Sequence, residues 1–486
     1  VVAINNDTAP AGGVLVLQSV NVSPTSPLKV TLVDHHLLRI TSQVPLTDPV
    51  ELGYTVSNGN AAAQGRVFVV PTHSQEERLA PQTQPDAGKV RVGDVGSVNV
   101  LANDRSPTGL ALTLDSHLDQ ATNPAAGKPF ITGSQVRLEA GTTPGYTRIA
   151  YSVRDSSGAV ASSTVTFEVV ANDGPNSAPR PKTLTAWALA GQTIRIPVPL
   201  AGIDPDGDSV TLAGTDQPPA KGVARLGTDW LEYTPANDMS GTDVFSYVVE
   251  DRLGKQAVAI VRVGIAPPSA INQPPADVPD TLLVRPDRQL SVPVAANDID
   301  PDGDSLTVVP DGLVATTPGL TPRVDNNRVV VTTPSSAGSS LVTYKVSDNR
   351  GGVDVGSLTI NVSPDAPLQV PIARDDVVAD ESVPVDGKPV AVDVLANDED
   401  PGGDAGRLKL TSAAPGVTVK DSKLEITPDK ARRLVVYSIT NQDGLTASAV
   451  VSVPGTERTR PKLDLSLIHI SEPTRRTPIS YAVFCL

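Results

Sequence analysis

The sequence predicts an all-β chain, a tandem array of small Greek-key β-sandwiches, and three observations carry that prediction. A Pro-x-Gly element recurs at Pro10, Pro107, Pro205, Pro301 and Pro401, about 95 residues apart. A tyrosine follows each one, at Tyr54, Tyr151, Tyr247, Tyr344 and Tyr437. Between these anchors short runs alternate apolar and polar residues, and no segment keeps a helical period over three turns. One small unit has been copied along the chain, which suits reach, spacing and multivalent binding better than a single deep active site.

The strands can be placed from the alternation. The second unit offers 97–100, 135–139, 147–154 and 159–170, and the third 193–198, 209–212, 230–234, 244–250 and 256–263. The fourth offers 281–284, 289–294, 305–309, 328–332, 340–348 and 353–362. The fifth offers 390–394, 407–411, 417–419, 423–427, 434–440 and 446–453. Six or seven short strands per unit with frequent turns is the pattern of a Greek-key sandwich.

Each tyrosine lies in the penultimate strand, in YTVSNG, YSVRDSSG, YVVEDRLG, YKVSDNRG and YSITNQDG. Alternation places it on one face with Val56, Val153, Val249, Val346 and Ile439, two residues on. This is expected to be a core tyrosine whose hydroxyl reaches a backbone partner. The Asn/Asp-x-x-Gly or Asp-Gly that follows is a hairpin turn.

Boundaries fall in Pro-rich stretches at 78–87, 172–182, 266–280 and 362–372, which bias the backbone toward semi-stiff, extended spacers. The units are expected at 1–75, 86–171, 180–265, 277–363 and 371–456. The first opens in the middle of a repeat and lacks its opening strand, so it reads as an N-terminal truncation with a poorly protected sheet edge. Missing targeting signals then say nothing about location.

Composition narrows the function. Aromatic residues make up only 3%, so the cores must be built from Val, Leu, Ile and Ala. The net charge of −15, with no basic stripe, argues against nucleic acid as a partner and disfavours anionic membrane surfaces. No apolar run is long enough to span a bilayer, so any membrane anchor is expected outside this sequence. The tail is different in origin: LSLIHISEPTR (465–475) and ISYAVFCL (479–486) read as translated transposase-type sequencing adapter, in frame across the index position. Residues 465–486 are therefore excluded from fold reasoning. Cys485, the one cysteine, goes with them, which rules out a disulfide framework.

The repeated loop is acidic in three units. IDPDGD supplies Asp204, Asp206 and Asp208; DIDPDGD supplies Asp298, Asp300, Asp302 and Asp304; DEDPGGD supplies Asp398, Glu399, Asp400 and Asp404. Carboxylates at alternate positions beside a turn glycine suit calcium, which takes six to eight hard oxygen ligands. Asp251 and Asp348, in the turn after the tyrosine, become further ligands if the two loops meet at one pole. Calcium is thus the expected cofactor of units three to five, at the weak affinity (about 0.1–1 mM) of extracellular modules. In the first two units NDTAPAGG and NDRSPTGL keep Pro-x-Gly and lose the later carboxylates. There the competing reading holds, in which Pro and Gly shape a loop whose Asp side chains cap backbone amides. An EF-hand is excluded, because no bidentate glutamate follows in helix-forming sequence.

At DPDGD together with the tyrosine strand and its turn, the chain resembles the tandem immunoglobulin-like and cadherin-like repeats of large bacterial surface proteins. The likeness runs from Val1 to about Glu457. It implies exported, elongated stalks or adhesins, often calcium-binding, at an extracellular or cell-envelope location. The expected role is a non-catalytic stalk that spaces or presents a binding module. One rival is direct adhesion of the repeats to a surface glycan or protein; another is accessory domains of a large secreted hydrolase. Trp230 lies on a strand and reads as core, while Trp187 is not placed by pattern alone. No catalytic elbow, phosphate loop or cysteine nucleophile occurs. The His35–His36 pair cannot chelate together if it lies on a strand, where neighbours face opposite ways.

Overall fold

Why the copied unit closes on itself is clearest in the second. Its inward-facing residues (Val90, Val136, Leu138, Ile149, Tyr151, Val153, Val165 and Phe167) recur at every other position on four strands and are almost wholly removed from water. Fully burying each such side chain contributes roughly 1.5–3 kcal/mol. A computed structural model of the chain describes residues 2–9, 12–23, 25–42, 44–71, 79–267, 272–300, 303–317, 320–384, 386–457, 469–470 and 481–482.

In unit 2 the opening strand Asp86–Arg91 runs parallel to the last strand, Val160–Val170. That strand pairs antiparallel with Gly145–Asp155, which pairs with Leu112–Leu118. A second sheet, ordered Val95–Asn99, Gln135–Ala140, Gly127–Thr132, closes the sandwich. Units 3, 4 and 5 repeat this order, each with a parallel first-to-last pairing: Leu184–Leu189 on Gln256–Ala266, Asp280–Val284 on Val353–Val362, and Asp376–Val377 on Thr446–Val453. Unit 1 has only its later strands among the described residues, so Ala62–Val69 pairs on one side alone and leaves Phe68 60% exposed. No described strand pairs with a strand of another unit.

The segments not read from the pattern are informative. The opening strands of units 2 and 3 and strands such as Gly127–Thr132 and Gly222–Leu226 lack clean alternation of burial along their whole length, and the opening strand of unit 5 and Arg323–Asp325 are only two and three residues long. They become strands because a partner far along the chain offers its edge, and that information is not local. Trp230 is a correction: it is half-buried on the outer face beneath the Arg195 guanidinium, 4.9 Å from its ring, while Leu231 and Tyr233 take the core positions. The His35–His36 pair sits in a hairpin turn rather than on a strand. His35 is buried, with Nδ1 3.0 Å from the Leu17 carbonyl, and His36 stacks on Trp187 at 4.1 Å. Trp187 also donates to the Leu15 carbonyl at 2.9 Å, so it joins unit 1 to unit 3.

Units distant in sequence also touch. Arg137 of unit 2 makes a bidentate pair with Asp375 of unit 5 at 2.8 and 2.6 Å, and Thr132 donates to the Ser448 carbonyl at 2.8 Å. The chain therefore folds back on itself.

All five tyrosines are buried with the partners two residues later, as the alternation requires. Each hydroxyl reaches the segment that leads into its own unit; Tyr247 donates to the Lys182 carbonyl at 2.6 Å and Tyr151 to Asp86 at 2.6 Å. Tyr247→Phe leaves the Lys182 carbonyl without that donor and should destabilise unit 3 by about 1–2 kcal/mol in chemical denaturation. An unchanged midpoint would show that the tether carries no stability. Arg137→Ala should raise the maximum dimension in small-angle scattering while circular dichroism stays the same.

Candidate functional site

The acidic loops sit at the pole of each sandwich where the preceding unit arrives. The incoming linker pairs with the loop's own backbone, through Gln82 with Arg105, Ala276 with Ile299, and Ile372 with Glu399, and by Arg180 N–H donating to the Ile203 carbonyl at 2.8 Å. A linker held in this way cannot swing independently of the loop.

In unit 3 the loop folds around one carboxylate. The Asp206 and Asp208 amides donate to Asp204 Oδ1 at 2.9 and 3.1 Å. In the turn after the tyrosine, the Leu253 and Lys255 amides donate to Asp251 Oδ1 at 2.8 and 2.9 Å. Asp204, Asp208 and Asp251 are all buried, so the two loops meet at one pole as expected. Burial raises the carboxyl pKa of Asp204, and it raises that of Asp208 despite the adjacent Arg91. Asp206 accepts from the Ser177 amide of the linker.

Unit 4 divides its predicted ligands between two places. The Asp304 amide donates to Asp300 Oδ1 at 3.0 Å, Asp304 pairs with Arg350 at 2.7 Å, and Asp348 accepts from the Arg350 and Gly352 amides at the same pole. Asp298 lies elsewhere, taking the Val278 amide at 2.8 Å beside the Tyr344 hydroxyl. That hydroxyl lies 2.9 Å from Asp277 and 3.4 Å from both Asp280 and Asp298. Asp302 lies outside the described residues.

Unit 5 follows the same division. Asp400 accepts from the Gly402 amide and from Asn441, whereas Asp404 turns to capping the short helix Ala405–Arg407 through the Gly406 amide at 2.9 Å. Asp398 takes the Arg374 amide at 2.8 Å and shares the Tyr437 hydroxyl with Asp376. Burial pushes Asp376 up to about 7, with the Asp398 charge adding to the effect, and burial pushes Asp398 and Asp298 up to about 6.

The second cluster, around the tyrosine hydroxyl, was missed in the sequence. In units 4 and 5 its signal was present in Asn297–Asp298 and Asn397–Asp398 at the start of the loops and in Asp277 and Asp376 before them; unit 3 has Ala201–Gly202 instead. Also missed were the arginines of the post-tyrosine turns, Arg252 and Arg350, which answer the loop carboxylates.

Among the described residues no three His, Cys, Asp or Glu side chains converge in a metal-holding arrangement. Asp204 Oδ2, Asp208 Oδ1 and Asp251 Oδ2 are buried without a hydrogen bond, which by itself would welcome a cation. Arg252 Nε nevertheless stands 3.5 Å from Asp208 Oδ1, and Arg91 Nε 2.7 Å from its other oxygen. At Asp208, then, arginine stands where a cation would, while Asp204 Oδ2 and Asp251 Oδ2 keep no donor.

A profile described as bacterial Ig domain matches residues 79–168, 172–264, 272–361 and 365–454. The chain belongs to the bacterial Ig domain family. The matched segments correspond to units 2 to 5. Among solved structures, the immunoglobulin domains of Sidekick-1 are 14% identical, covering 91% of this chain and 95% of that one, with a TM-score of 0.25. The human Desmocollin-1 ectodomain is 12% identical, covering 93% and 94%, with a TM-score of 0.17. An endo-fucoidan hydrolase of glycoside hydrolase family 107 is 20% identical, with a TM-score of 0.20; the match covers 58% of this chain and 44% of that one, less than half its length. No curated protein matches this chain.

The pH dependence of this bacterial Ig array follows from the tyrosine clusters. Asp376 and Asp398 have folded pKa values above the unfolded value of about 3.9, so their contribution is fully present below about pH 4 and is lost as pH rises through 6–7. In EDTA, unit 5 should melt at a higher temperature at pH 5 than at pH 8, and Asp376→Asn should flatten that difference. A melting temperature that climbs with pH would contradict it.

Proposed function

We propose that this array is a non-catalytic extracellular stalk or adhesin segment that spaces or presents a binding module at a bacterial surface. The observation that carries this reading is five separate hydrophobic cores in series, one per sandwich, with each linker docked onto the loop of the unit it enters. Such a chain transmits position and load, because no strand has to unpair for neighbouring units to keep their order. Tandem bacterial Ig units fit this role, and no described helix is long and apolar enough to cross a membrane. The partner at the surface is a glycan or a protein. Antibodies raised against units 2 to 5 should label intact cells of the bacterium that carries the gene. Signal that appears only after lysis would overturn the extracellular assignment.

A second reading concerns calcium in units 4 and 5. It is supported by Asp300 and Asp348 buried at one pole of unit 4 beside Asp304, which Arg350 also meets, and by Asp400 buried at the corresponding place in unit 5. Millimolar calcium should raise the melting temperature of the full chain by several degrees over EDTA, because a ligand bound only by the folded state stabilises by mass action. Asp304→Asn should reduce that rise. Superimposable curves would remove calcium from units 4 and 5.

A further inference from the structure

The joint between units 2 and 3 is built unlike its neighbours. Arg91 ends the opening strand of unit 2, opposite Val170, and its side chain is only 2% exposed. Its Nε donates to Asp208 Oδ2 at 2.7 Å, its Nη2 to the Pro175 carbonyl at 2.7 Å, and its Nη1 to the Ala171 carbonyl at 3.4 Å. One planar guanidinium thus holds three things together: the end of unit 2, the linker, and the acidic loop of unit 3. A point charge on a flexible stem could not bind all of these at once.

The backbone repeats the contact. The Arg91 amide donates to the Gly207 carbonyl at 3.1 Å, and a Cβ on Gly207 would stand 2.8 Å from the Val90 nitrogen. With φ at +86°, Gly207 both turns the loop and lets it lie against the strand of the neighbouring unit. Asp94, in the turn after that strand, accepts from the Ser209 amide at 2.8 Å, and Arg252 Nε lies 3.4 Å from Asp94 and 3.5 Å from Asp208.

The next two joints hold no guanidinium at this strand end, although Arg285 of unit 4 donates to the Ala366 carbonyl of the following linker at 3.0 Å. The position of Arg91, opposite the end of the last strand, is held by Leu189 in unit 3 and Val284 in unit 4. Between units 3 and 4 the corresponding turn contributes Gln192, which accepts from Ser305 at 2.6 Å. Between units 4 and 5 it contributes Arg288, which reaches Asp443 at 2.7 Å, and the loop's Glu399 is met from another strand of unit 4 by Arg328 at 3.3 Å.

We infer that the IDPDGD loop of unit 3 is a docking socket for unit 2, in which Arg91 and Arg252 supply the positive charge that a divalent cation would otherwise supply, so that this joint is set without metal. The inference is independent of whether calcium acts in units 4 and 5. Removing one partner of a buried pair strands the other charge in a water-poor site, which makes the joint sensitive to single substitutions.

The test uses the full chain with Cys485→Ser and spin labels at the exposed positions Ser116→Cys and Asp216→Cys, one in each unit. Electron-electron resonance should give one narrow distance distribution, the same in EDTA and in millimolar calcium. Arg91→Ala and Arg91→Lys should each broaden it with circular dichroism unchanged. Asp208→Asn, which keeps the arginine stem packed, should broaden it as well if Arg91→Ala proves unfolded. A parent distribution that widens in EDTA, or folded Arg91→Ala and Asp208→Asn chains with the parent's narrow distance, would overturn the inference.

Discussion

Carboxylates buried where two sandwiches meet must be answered by donors, cations or protons, and the poles of this array are arranged around that requirement. Backbone amides come first: Asp204, Asp251, Asp300 and Asp348 each gather amides from the turn they open. This ordering costs little beyond the turn itself, because the amides would otherwise need partners of their own. The charge left over is handled differently in each unit. Arginine from the neighbouring unit and from the turn after the tyrosine answers it in unit 3, and Arg350 does so in unit 4. At the tyrosine clusters a raised carboxyl pKa does the same work through a proton.

The tyrosine links this electrostatic arrangement to the core. Its ring completes the packed face of the penultimate strand, and its hydroxyl stands at the one place where the incoming linker, the opening strand and the loop converge. Loop, linker and core are therefore one mechanical element. Tandem units that share few apolar contacts depend on such polar anchoring to set their relative orientation. Apart from the apolar seam that Val16 of unit 1 forms with Leu189, Ala266 and Trp187 of unit 3, the seams described above are hydrogen bonds and ion pairs, while most of the hydrophobic burial stays inside each sandwich.

That division separates what folds each unit from what joins it to the next. Five cores that close separately leave each unit able to fold once it is synthesised, and the family is built on such serial units. Differences between units then concentrate at the poles, where one arginine or one aspartate changes how a joint is held without disturbing a core. The fold-back contact between Arg137 and Asp375 belongs to the same class of polar device.

The array, the sandwich class, the buried tyrosine and its partner two residues on, and the convergence of two turns at one pole were all legible in the sequence. Each rests on local periodicity or on turn chemistry, which short stretches of residues encode. The opening strands of units 2, 3 and 5 were not legible, because segments such as Asp86–Arg91 and Asp376–Val377 take strand form only beside a parallel partner at the far end of their unit. Nor was the fate of the acidic residues: Asp298, Asp300 and Asp304 lie within seven positions, yet one faces a tyrosine and two face the pole. Composition determined that these units carry clustered negative charge. Only the tertiary structure decided what answers it, since Arg91 and Asp208 are over a hundred positions apart and meet through the docking of two separately folded bodies.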